Sequence, residues 1–91
     1  GQDIGVGQTW QTVTRLSGTT YYNTTGKPIQ LSYNIVGSGT QSGTLVINGI
    51  TVSNIFGATN ANLNLFAIVP NNQSYVLTLT AGSIQSTLEL R

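Results

Sequence analysis

The chain contains no cysteine and no histidine in 91 residues. Without cysteine there is no disulfide framework and no thiolate nucleophile. Without histidine the usual base of a Ser or Cys triad is missing, as is the commonest metal ligand. Charge is nearly as scarce. Arg15, Lys27 and Arg91 stand against Asp3 and Glu89, 5% of the chain, where about 25% is ordinary. A net charge of +1 offers no electrostatic footprint for nucleic acid or anionic lipid. No apolar run approaches the roughly 20 residues of a membrane span, and no signal peptide opens the chain, so membrane insertion is not expected.

These shortages limit the chemistry available. A Ser-Lys dyad would need Lys27, which follows Gly26 in a turn and is expected to face solvent. "GVGQTW" (5 to 10) starts like a phosphate loop, but Trp10 occupies the place of the third glycine, and a strand follows where a helix is required. Two carboxylates are the minimum for most glycosidases, and Asp3 and Glu89 are the only pair. Each is expected to pair loosely with Arg15, Lys27 or Arg91 instead. A calcium loop takes several carboxylates, and Asp3 stands alone. The expectation is a protein without catalytic residues, bound metal or cofactor.

Neutral polarity replaces charge. The chain has 14 Thr, 8 Ser, 9 Asn and 7 Gln, types that suit pleated strands and turns and keep a surface wet without long-range fields. No apolar stripe holds a helical period. Short strands are expected instead at 10–14, 19–23, 29–35, 62–69, 75–81 and 83–91, with two more flanking Asn48-Gly49. In "TLVINGITVS" that dipeptide between β-branched runs predicts a two-residue type I′ hairpin, with Ile47 facing Ile50. Leu63, Leu65, Ala67 and Val69 share one face of their strand. The strand at 75–81 reads as largely buried on both faces. In the last strand Ile84, Ser86, Leu88 and Leu90 are expected on one face, and Gln85, Thr87, Glu89 and Arg91 on the other. About eight short strands in one small domain predict an antiparallel β-sandwich, with jelly-roll topology ahead of immunoglobulin-like.

"NTT" (23 to 25) and "NQS" (72 to 74) match the glycosylation sequon, but Asn23-Thr24-Thr25-Gly26 reads better as a corner. Tyr21 and Tyr22 face opposite sides of one strand, so at most one belongs to the core. Trp10 reads as core or interface ahead of a ligand-stacking role. Neutral polar loops beside an aromatic ring suit sugars, since rings stack on apolar sugar faces and amides bond to sugar hydroxyls. The loops "GSGTQSG" (37 to 43) and "FGATNAN" (56 to 62) are the candidates. The second is favoured because Phe56 stands at its base with Asn60 and Asn62 beyond it. Tyr22 beside Asn23 is a third candidate.

Taken in order, "IGVGQTWQTVT", "TYYNTTGKPIQLSY", "LVINGITVS", "AIVPNNQSYVL" and "STLELR" resemble the C-terminal domain of phage and prophage tail fibres, from Ile4 to Arg91. The family has a tryptophan in its final strand where this chain has Thr87-Leu88, so no aromatic role carries over there. The resemblance implies a homotrimeric β-sandwich at the distal tip of a virion fibre. Such a tip binds a bacterial surface glycan, often lipopolysaccharide, and is usually not an enzyme. The alternative within the same family is a structural trimerisation cap that does not touch the receptor. A trimer also fits a small domain with apolar residues on both faces of 75–81, since neighbouring copies would cover the second faces.

Overall fold

A computed structural model describes residues 5–37, 39–57 and 62–91. These contain eight strands and no helix: β1 (Trp10–Val13), β2 (Tyr21–Tyr22), β3 (Ile29–Val36), β4 (Gln41–Ile47), β5 (Ile50–Gly57), β6 (Asn62–Val69), β7 (Ser74–Ala81) and β8 (Ser83–Leu90). They form two four-stranded sheets, in the orders β1-β8-β3-β6 and β2-β7-β4-β5. Every pairing is antiparallel. The chain changes sheet at each connection except the one between β4 and β5. The expected all-β antiparallel sandwich is the observed fold.

The core lies between the sheets. β3 alternates strictly, with Ile29, Leu31, Tyr33 and Ile35 buried and Gln30, Ser32, Asn34 and Val36 half-buried on the outside. Leu45, Ile47, Ile55, Tyr75 and Leu77 meet them from the other sheet, and Val69 from β6. Leu63, Leu65 and Ala67 pack against this cluster on the expected face. Burying each large side chain is worth about 1.5–3 kcal/mol.

Two turns follow directly from the sequence. Asn48 and Gly49 have φ of 52° and 77°, as a type I′ turn requires, and Ile47 lies opposite Ile50. Asn23 builds the β2–β3 corner and is fully buried. Its Nδ2 donates to the carbonyls of Lys27, Val69 and Pro70 at 2.8, 3.0 and 3.2 Å. Its Oδ1 accepts from the Thr25 amide at 3.1 Å and the Thr25 hydroxyl at 2.7 Å. Asn23 is thus a corner post with no free amide to carry a glycan. Lys27 also departs from expectation: it is half-buried, and its Nζ donates to the Val6 carbonyl at 3.1 Å.

Three expectations about strands need correction. The loop read at 37–43 ends sooner, because β4 already begins at Gln41. The Gln41 side chain turns inward and donates to the carbonyls of Gly37 and Gly39, supplying from a side chain the partners that the loop backbone needs. Gly43 sits at a bulge between β4 and β7, where a Cβ would run into the Thr78 carbonyl. Second, β7 is buried on one face only: Tyr75 and Leu77 are inside, Val76 is half-buried, and Thr78 and Thr80 are exposed. Third, the alternation in β8 breaks. Asn34 pairs with Ser86 but Ile35 pairs with Ile84, which leaves Gln85 as an unpaired extra residue. From there on the parity reverses: Thr87 and Glu89 point into the sandwich, and Leu88 and Leu90 point out.

The hairpin makes a simple check on the fold. Gly49→Val should cost roughly 1–2 kcal/mol through left-handed strain, read as a lower urea midpoint at unchanged m-value.

Candidate functional site

The chemistry that the sequence made conspicuous, the charged residues, is drawn together by the bulge in β8. Glu89 is fully buried. Arg15, in the β1–β2 connection, donates from Nε to Glu89 Oε2 at 2.8 Å and from its terminal amino group to Oε1 at 3.0 Å. The Tyr75 hydroxyl, from the opposite sheet, donates to Oε2 at 2.7 Å. Arg91 Nε stands 3.5 Å from Oε1. The Arg15 guanidinium also lies 4.7 Å above the Tyr21 ring, which packs at 5.9 Å from the Tyr75 ring. The expected loose pairing is therefore a tight, bidentate, buried one. Both carboxylate oxygens are engaged and sealed from solvent, an arrangement that joins the two sheets and offers no acid or base to a ligand. Asp3 lies outside the described residues.

Burial pushes the Tyr75 phenol up to about 12, with the hydrogen bond to Glu89 and its charge adding to the rise. Burial, then the neighbouring Tyr75, pushes Tyr33 up as well. For Arg15 burial acts downward, but the hydrogen bonds and charge of Glu89 outweigh it, and its pKa is raised. Among the described residues, no group of His, Cys, Asp and Glu could hold a metal ion, and no helix is long and apolar enough to cross a membrane.

The residues singled out for glycan recognition are not brought together. Phe56 is 81% exposed on β5, with its side chain on the outer face of the β2-β7-β4-β5 sheet. Asn62, exposed, opens β6 in the other sheet. Asn60 lies outside the described residues. Tyr22 is 61% exposed but sits at the opposite end of its sheet, paired with Ser74 near the Asn48-Gly49 hairpin. Its neighbour Tyr21 faces the core and accepts a hydrogen bond from the Leu16 amide at 2.8 Å. One tyrosine in and one out is the arrangement that the alternation predicted.

What surrounds Phe56 was not evident from the sequence. Ser42 stands opposite it on β4, Ala81 lies beyond on β7, and Asn54 is two residues back on the same face. The hydroxyls of Ser42 and Thr80 are 2.6 Å apart. Thr44 and Thr78 extend the row. The outer face of this sheet is thus neutral: hydroxyls and an amide gather beside Phe56 at one end, while Val46, Val76, exposed Val52 and exposed Tyr22 lie toward the other. At the edge between the sheets a small open groove of about 170 Å³ is lined by Asn54, Phe56, Leu63 and Asn64, among others.

The outer face of the β1-β8-β3-β6 sheet differs. Trp10, Phe66 and Ile68 are 48%, 60% and 53% exposed there, and Leu88 and Leu90 are half-buried beside them. Trp10 is therefore not a core residue: β1 is an edge strand, and Trp10 pairs with Leu90 on the outside. Comparison of the chain with protein-family models, with curated proteins and with solved structures finds no match.

Arg15→Ala should cost about 3–5 kcal/mol, because it strands a buried carboxylate. Replacing the pair together, as Arg15→Met with Glu89→Leu, should cost less than Arg15→Ala alone in urea titration. The tyrosines predict an alkaline limb. Folded-state pKa values lie above the unfolded value of 10.0, so this contribution is complete below pH 10 and is lost as pH rises through about 12 for Tyr75. Tyr75→Phe should flatten that limb in a pH series of thermal melts.

Proposed function

We propose that this chain is the receptor-binding tip of a phage tail fibre, a homotrimer displayed on the virion that recognises a bacterial surface glycan such as lipopolysaccharide. The observation that carries the reading is the outer face of the β2-β7-β4-β5 sheet. There Phe56 is 81% exposed beside Asn54, Ser42, Thr44, Thr78 and Thr80. A sugar presents just these needs: an apolar ring face to stack and hydroxyls to pair with neutral donors and acceptors. Little salt dependence follows, since no ion lies among those residues.

Two further features support it. The strand orders β1-β8-β3-β6 and β2-β7-β4-β5 fit a jelly roll, an architecture shared by many lectin and capsid domains. The described residues of the motifs that resemble tail-fibre tips fall on its strands and on the turns and segments between them.

The test is glycan-array binding by the wild-type domain, followed by host adsorption with Phe56→Ala. A ring this exposed can be removed within about ±0.5 kcal/mol of stability, so folding and binding separate. Binding should weaken at least tenfold, about 1.4 kcal/mol. Unchanged binding by Phe56→Ala would move the receptor contact off this sheet, with Asn60→Ala plus Asn62→Ala and Tyr22→Ala as the next substitutions. Absence of any glycan binding by the wild type would leave the structural trimerisation cap as the better reading.

A further inference from the structure

We propose that the outer face of the β1-β8-β3-β6 sheet is the surface by which copies of this chain cover one another. The inference rests on the homotrimer reading and adds to it the face that is used. The bulge at Gln85 turns Leu88 and Leu90 outward. Cross-strand register then sets Trp10, Leu90, Gln30 and Ile68 in one row, and Thr12, Leu88, Ser32 and Phe66 in the next. Trp10, Ser32, Phe66 and Leu88 line a shallow groove of about 390 Å³ on this face. Two aromatic rings and three aliphatic side chains thus share one flank of a small domain, a concentration that marks an interface rather than ordinary surface scatter.

The occupant follows from charge and area. Among the described residues no charged side chain projects from these rows: Arg15 and Glu89 bond to each other inside, Arg91 lies against Glu89, and Lys27 is tied to Val6. Three faces without charge can converge on a three-fold axis without like-charge repulsion and without burying an ion. Such a face equally offers nothing to draw a charged partner or an anionic lipid surface. Four strands spaced about 4.8 Å apart, up to eight residues long at about 3.3 Å each, span roughly 400–500 Å² in projection. With side-chain relief that approaches the ~800 Å² per partner of a stable protein interface. The opposite sheet mixes Phe56, Tyr22 and Val52 with hydroxyls and amides, and its two exposed rings stand at opposite ends rather than in adjacent rows.

Trp10 is the sole tryptophan, so the 91-residue chain reports on this face unmodified. Analytical ultracentrifugation should give a trimer at micromolar concentration, with Trp10 emission blue-shifted and protected from acrylamide. Phe66→Glu and Trp10→Glu should raise the concentration for half-dissociation at least a hundredfold, and Phe66→Glu should shift Trp10 emission to that of a hydrated indole. Ile50→Glu makes the same change of charge at a 64% exposed position in the other sheet and should leave the trimer intact. A wild-type trimer whose Trp10 is fully quenched, or one that persists in Phe66→Glu, would overturn the choice of face and leave the trimer standing. A wild-type monomer would overturn both. If Phe66→Glu fails to fold, the wild-type quenching result decides alone.

Discussion

The Glu89 carboxylate is the constraint around which the sandwich is organised. An ionised group with no exposure is tolerated only if its oxygens are fully engaged. Here a guanidinium and a phenol supply the donors, and each comes from a different part of the chain. Arg15 fixes the path of the β1–β2 connection, Tyr75 fixes β7 against β8, and Tyr21 is held beneath the guanidinium. A buried ion pair is seldom the most stabilising choice available. Its value lies in permitting one arrangement: slipping β8 by a residue would put Glu89 outside and leave Arg15 and Tyr75 without their acceptor.

The same bulge that seats Glu89 also decides how the outside looks. One extra residue at Gln85 exchanges two leucines for a threonine and a glutamate across the thickness of the sheet. The interior gains a polar post, and the exterior gains apolar surface beside Trp10, Phe66 and Ile68. In a domain with so few ions, this places two leucines and two exposed rings in adjacent rows on one broad face, where the other keeps its exposed rings, Phe56 and Tyr22, at opposite ends.

Much of the fold was legible because two signals are strong in this sequence. Strict alternation in 29–36 and 62–69 gave both strands and their inner faces, and Asn48-Gly49 gave a hairpin and its register. Periodicity failed where the backbone adds a residue. Nothing in "SIQSTLEL" sets Gln85 apart from its neighbours; only pairing with β3 selects it, and that is a long-range fact. Gln41 was hidden for a related reason, since a glutamine after Gly-Thr reads as loop until its side chain is seen to bond that loop's carbonyls. The candidate site was only half legible. Exposed aromatics could be nominated from the sequence, but Phe56 and Asn62 are on different sheets, and the hydroxyl row beside Phe56 comes from three strands that pairing alone brings together.

The pairing of β1 with β8 has a consequence in time as well as in space. Among the described residues, β4 and β5 are the only consecutive strands that pair; every other ladder joins distant parts of the chain. Closing such ladders costs loop entropy before contacts compensate for it, which places this topology among the slow folders, on the scale of milliseconds to seconds. A nascent chain can form the Asn48-Gly49 hairpin early, but β1 has no neighbour and Arg15 no counter-ion until Glu89 has been synthesised, 74 residues later. Through that interval the first strand, with its tryptophan, stays unpaired. Completion of the sandwich therefore waits for β8, and loss of that strand would leave β1 without a partner.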